Sequence, residues 1–317
     1  MTTTQPLDAT LLDATDPALA RPLAEGLAIA RSDVLAAARD LLATPESTLD
    51  QAWGWIGGSE VEIRYGVYRA AEALELAEID ARLDLRAEDA VETQSARIVA
   101  ATTAARWDLH GLLLPLSGYA LDADPGGKDW TIRLTLGHVI NGQRAYGWST
   151  AWWAANPHEL AAPDLPAGVP EDVFASLPDE ATSEAEGTVD VLQARLDAIT
   201  DLTIERLAGL PDERLALGAR WSGFPVTIGF RLGRWSSHIR EHTIQVEKTF
   251  ALLGRVPSEP ERLARHLLAA YGRAEATVIG RRPGDATTVA AKRVALGAAE
   301  ALQAIHGARM ASAAATT

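Results

Sequence analysis

Apolar positions along this chain recur mainly at three- and four-residue intervals, and that period predicts helices. Leu23, Leu27, Val34, Leu35, Leu41 and Leu42 mark a broken first helix from Pro17 to about Ala43, closed by Pro45. The stretch ESTLDQAWGW that follows is expected to be a short helical turn carrying Trp53 and Trp55. Gly57-Gly58 interrupts the chain, and Ser59 with Glu62 three positions later has the form of a capping box. The helix it opens runs to about Leu83, with Val61, Tyr65, Tyr68, Ala71, Leu74, Leu76 and Ile79 as its apolar set.

Four longer segments follow, at about 90–114, 130–156, 184–208 and 226–253. Pro115 ends the first, and Asp129 is placed to cap the second, which at ~1.5 Å per residue extends to near 40 Å. Pro157, Pro163, Pro166, Pro170 and Pro178 then punctuate a stretch with no clear period. A loop that long usually carries function or crosses over a domain. Pro211 ends the third helix, and Gly254 is the expected C-cap of the fourth. Helices at about 259–279 and 287–310 complete the chain, with a polar start (1–16) and a frayed tail (311–317). No segment alternates apolar and polar positions for long enough to demand a strand. The expected fold is all-α: a four-helix bundle at 88–255 with a long crossover between its second and third helices. Flanking helices fall at 17–86 and 256–312. Ile63-Arg64 and Ile132-Arg133 each open a helix after a Gly-Gly pair, at an offset of 69 residues, an echo too short to establish a duplication.

Composition narrows the function classes. Hydrophobic residues make up 47% of the 317 positions, enough for a sizeable core, while aromatics are only 6%. The rest is rich in Ala and Leu, both strong helix formers. A net charge of −14 argues against nucleic-acid and anionic-membrane partners. There is no cysteine, so disulfides, thiolate ligands and a cysteine nucleophile are excluded. The start MTTTQPLDAT has neither a basic segment nor an apolar run, so a cytoplasmic protein is the expectation.

The chemistry gathers on the histidines. His238 and His242 lie four residues apart in RWSSHIREHTIQVEKTFALL, one above the other on a helix face shared with Trp235, Val246 and Thr249. His138 lies in the second bundle helix among Leu134, Leu136, Val139 and Ile140. Neutral imidazole is a good divalent-metal ligand, and three protein ligands with positions left open is the pattern of a catalytic site. The same residues admit a rival: HIREH fits His-x-x-Glu-His, an inverted zinc-protease motif with Glu241 as general base and a distant third ligand. His110, His158, His266 and His306 carry no comparable pattern.

The segments WTIRLTLGHVINGQRAYGWSTAWW and RLGRWSSHIREHTIQVEKTF resemble the DinB-like family of four-helix bundles, over roughly 88–255. The resemblance implies a divalent metal held by His138, His238 and His242. Family members of known activity are mostly transferases of low-molecular-weight thiols such as mycothiol or bacillithiol, and a related branch isomerises maleylpyruvate. An Ala-rich chain that prefers Arg to Lys suits a high-GC bacterium and hence mycothiol. The implied cofactors are a divalent metal (Zn, Ni or Fe) and such a thiol, with a small-molecule substrate as partner and a homodimer carried as an expectation. Glu241 and Gln245 could orient the imidazoles. Arg144 and Arg240 could hold an anionic group, Tyr146 could line a pocket, and Trp148 reads as core. A bundle that binds without turnover, as a stress-response module, and a metallohydrolase through HIREH are the competing readings.

Overall fold

A computed structural model describes residues 25–54, 60–87, 93–171, 184–281 and 285–315. Its helices in chain order are α1 (Glu25–Leu42), α2 (Ile63–Ala87), α3 (Gln94–Leu113), α4 (Gly118–Asp122), α5 (Ile132–Ala155), α6 (Val189–Leu207), α7 (Asp212–Leu215), α8 (Ile228–Leu252), α9 (Glu259–Ala276) and α10 (Asp285–Ala315). A 3-10 turn spans Glu46–Thr48, and two short hairpins pair β1 (Ala52–Gly54) with β2 (Glu60–Glu62) and β3 (Gly218–Trp221) with β4 (Phe224–Thr227). The fold is all-α, with the long crossover between α5 and α6. None of the described helices is long and apolar enough to cross a membrane.

Among the described residues the chain forms two compact units: 93–102 and 118–249 in one, 25–87, 103–117 and 250–315 in the other. In the first, α5 lies against α6 so closely that a Cβ on Gly147 would stand 2.7 Å from the Thr203 hydroxyl. Thr93 donates to the Ala208 carbonyl at 2.6 Å, fixing the start of α3 against the end of α6. The α5 N-cap is Thr131, whose side chain accepts from the Leu134 amide. Asp129, the expected cap, instead pairs with Lys248 at 2.5 Å. The described start of the crossover follows the second hairpin, with the Gly218 amide donating to the His158 carbonyl at 2.8 Å. Its end is anchored by buried Glu184, which receives Arg144 Nε at 2.6 Å.

In the second unit α1, α2, α9 and α10 share one core. Ala70, Ala71, Ala77 and Ala81 of α2, with Ala290, Ala298 and Ala301 of α10, are all buried. Small side chains let these two backbones approach: a Cβ on Gly297 would lie 2.6 Å from that of Ala77. At its centre Glu275 is fully buried and receives Arg106 and Arg31 at 2.8 and 2.7 Å and the Tyr271 hydroxyl at 2.8 Å.

Several expectations are corrected here. The stretch after Pro45 is one 3-10 turn and a strand carrying Trp53, rather than a helical turn. Glu62 is the last residue of β2 and not part of a capping box; α2 starts at Ile63, whose amide donates to the Gln51 carbonyl. On α2 the buried face is Ile63, Gly66, Val67, Ala70, Ala71, Leu74, Ala77, Ala81 and Leu85, whereas Tyr65, Tyr68, Leu76 and Ile79 are exposed. Strands do exist, at three and four residues each, too short for alternation to show. The tail stays helical to Ala315. The helix start at 17–24, Trp55, Gly57-Gly58, Ser59, Pro178 and residues 316–317 lie outside the described residues.

Candidate metal centre

The α8 segment forms as a helix because a tight hairpin delivers it. Ser222 and Gly223 both take positive φ, 48° and 83°, as a two-residue hairpin turn requires. The Thr227 hydroxyl then accepts from the Phe230 amide across the first turn of α8. At its far end Gly254 (φ 67°) donates to the Ala251 carbonyl while the Arg255 amide donates to that of Phe250, the pairing of a Schellman cap.

Between these ends the three sequence-selected histidines come together. His238 Nε2 lies 3.3 Å from His138 Nε2 and 3.1 Å from His242 Nε2. One ligand atom from each falls within 4.8 Å of the others. Among the described residues no acidic side chain joins this group. Two nitrogens each ~2.1 Å from one tetrahedral ion are about 3.4 Å apart, so the observed spacing fits a shared divalent cation.

Burial sets the protonation state. His238 is 4% exposed, and desolvation, with the neighbouring imidazoles His242 and His138 adding, pushes its pKa down to about 3. His242 is also lowered, by desolvation first, with its hydrogen bond to Gln245 opposing. Neutral imidazoles are the ligand form. Gln245 Oε1 sits 2.7 Å from His242 Nδ1, so that nitrogen carries the proton and Nε2 keeps its lone pair. His238 Nδ1 is buried with no hydrogen-bond partner among the described residues. The rings of Trp130 and Tyr146 stand edge-on to His138 and His238, at 5.3 Å each.

The remaining candidates separate clearly. Arg144 is consumed by Glu184 and so does not offer its charge to a ligand, and Arg240 is exposed. Glu241 is held by Arg234 through two contacts of 2.7 and 3.0 Å, which draw its pKa down. Trp148 is buried, as expected, and Leu134 beside His138 is exposed rather than surrounding it. Outside the triad, His110 is buried edge-on to Trp107, His266 stands edge-on to Tyr68, and His306 has a carboxylate partner after all, Asp40 at 2.9 Å. Pattern reading missed Gly142. A Cβ there would stand 2.5 Å from His238 Cε1, so only glycine leaves room for that imidazole. A glycine one turn from a histidine inside a strong helical pattern was the available signal.

A helical bundle that converges three imidazoles from two of its helices defines a candidate metal-binding bundle protein. The model of the DinB superfamily matches residues 101–246, which include all three histidines. No curated protein and no solved structure matched the chain.

Proposed function

We propose that the protein is a metal-dependent transferase that moves a low-molecular-weight thiol onto an electrophilic small molecule in the cytoplasm. The observation that carries this reading is the set of three converging imidazole nitrogens in a DinB segment of a chain without cysteine. A divalent cation held there would supply Lewis acidity that lowers a thiol's pKa toward neutral. The protein's own groups do the rest. His138, His238 and His242 would hold the cation, and Gln245 fixes the tautomer and the ring orientation of His242. His138 and His242 are only partly buried, which leaves the site open to a small molecule on one side.

The hydrolase reading is less well supported. Its general base would be Glu241, and a carboxylate paired twice with Arg234 and held below its usual range is a weak base.

The test is conjugate formation. Metal-loaded protein incubated with mycothiol, bacillithiol or cysteine and a panel of halogenated and unsaturated electrophiles should yield thioether products by mass spectrometry above the protein-free rate. Chelation and His138→Ala should both return the rate to background. No conjugate from any pair, with metal bound, would leave the binding module as the better reading.

A further inference from the structure

Two stripes of side chains face each other across α5 and α8. On α8 they are Arg231, Arg234, His238 and His242, at intervals of three, four and four residues. On α5 they are His138, Gly142, Tyr146 and the pair Ser149-Thr150. The stripes run antiparallel: the histidines meet at one end, and Arg231 meets Ser149 and Thr150 at the other.

Arg231 is 6% exposed. Its partners are the Thr150 hydroxyl at 3.1 Å, the Ser149 hydroxyl and the Arg220 carbonyl, all neutral. A guanidinium has five N–H donors, so three acceptors leave two without one among the described residues. The chain treats its other buried arginines differently. Arg106 and Arg144 each face a buried carboxylate, Glu275 and Glu184, at 2.8 and 2.6 Å. A buried charge without a counter-charge costs several kcal/mol, and desolvation lowers the Arg231 pKa to about 10. Arg234, next on the stripe, already has Glu241. The uncompensated positive charge on the α8 stripe is therefore that of Arg231.

We propose that Arg231 receives the carboxylate of a small anionic ligand whose other end reaches the three histidines. Seven residues separate Arg231 from His238, which is about 10 Å along a helix, so the ligand is an extended carboxylic acid and not a short one. One guanidinium with two spare donors suits a monoanion held by a fork of hydrogen bonds. This rests on the reading of the triad as a small-molecule metal site, and the experiment separates the two.

The probes are 6-mercaptohexanoate, its uncharged analogue 6-mercaptohexan-1-ol, and hexanoate. On metal-loaded protein the carboxylate thiol should bind at least about tenfold more tightly than the alcohol, about 1.4 kcal/mol. Arg231→Gln should reduce that preference to within about twofold with metal content unchanged, and Arg231→Lys should retain part of it. Equal affinities in the wild type, or a preference that survives Arg231→Gln, overturn the proposal while leaving the metal reading intact. On chelator-treated wild-type protein, hexanoate should shift the Arg231 Nε–H resonance, assigned by its absence in Arg231→Lys. That shift stands even if no metal is ever bound. Its absence overturns the proposal even if Arg231→Gln fails to fold, and leaves Arg231 as a brace between α5, α8 and β3.

Discussion

At the scale of single residues, the site depends on one absence and one hydrogen bond. Gly142 leaves the space that the His238 ring fills. Gly142→Ala should stabilise the isolated helix by roughly 1 kcal/mol on propensity yet weaken metal binding by about tenfold or more, because it displaces a ligand. Titration against a competing chelator reads this directly, and unchanged affinity would show that the ring can move without cost. Gln245→Ala frees the His242 tautomer and should cost about 10- to 100-fold in metal affinity by the same measurement. The three histidines were legible in sequence because a ligand pair on a helix has a fixed spacing. Gly142 and Arg231 were not, since what distinguishes them is the element that packs against them. Likewise Arg144 looks available in sequence and is spent on Glu184, 40 residues away.

At the scale of elements, helix existence was readable and helix facing was not always. The period along α2 is sound, but its expected apolar set mixed the buried Ala71 and Leu74 with Tyr65, Tyr68, Leu76 and Ile79, which are exposed. The buried face is instead built from Ala and Gly with a few larger residues, since close backbone approach to α10 rewards small side chains over large ones. Leu74 and Leu76, both in that expected set, fall on opposite sides of the observed division. Leu74→Ala should cost about 2–5 kcal/mol and Leu76→Ala within about 0.5 kcal/mol, both read by chemical denaturation. Comparable losses at the two positions would contradict the observed facing. The hairpins were missed for a different reason. RWSGFPVT holds a Ser-Gly turn between strands of only four residues, and four residues give alternation no room to declare itself.

At the scale of the whole molecule, the crossover follows from the order and length of the helices, while the grouping of the first helices with the last ones does not. No local pattern announces that α1 and α2 share a core with α9 and α10, because the partners are some 200 residues apart. Glu275 marks that core. Burial alone would raise its pKa, but Arg31 and Arg106 with the Tyr271 hydroxyl outweigh it, so the pKa falls below 4.5. A depressed carboxylate contributes stability that is present above the unfolded value and lost as the pH falls through the folded one. Glu275→Gln should therefore lower stability at pH 7 by about 3–5 kcal/mol and flatten the decline of melting temperature below pH 4.5. An unchanged acid profile would remove Glu275 from that role. The central claim is the metal centre, and the most direct test is metal content after reconstitution. Wild-type protein loaded with Zn, Ni or Fe and freed of excess ion should retain one ion per chain, and His138→Ala and His242→Ala, still helical by circular dichroism, should retain none. Wild-type protein that holds no ion, or variants that hold as much as the wild type, would contradict the account.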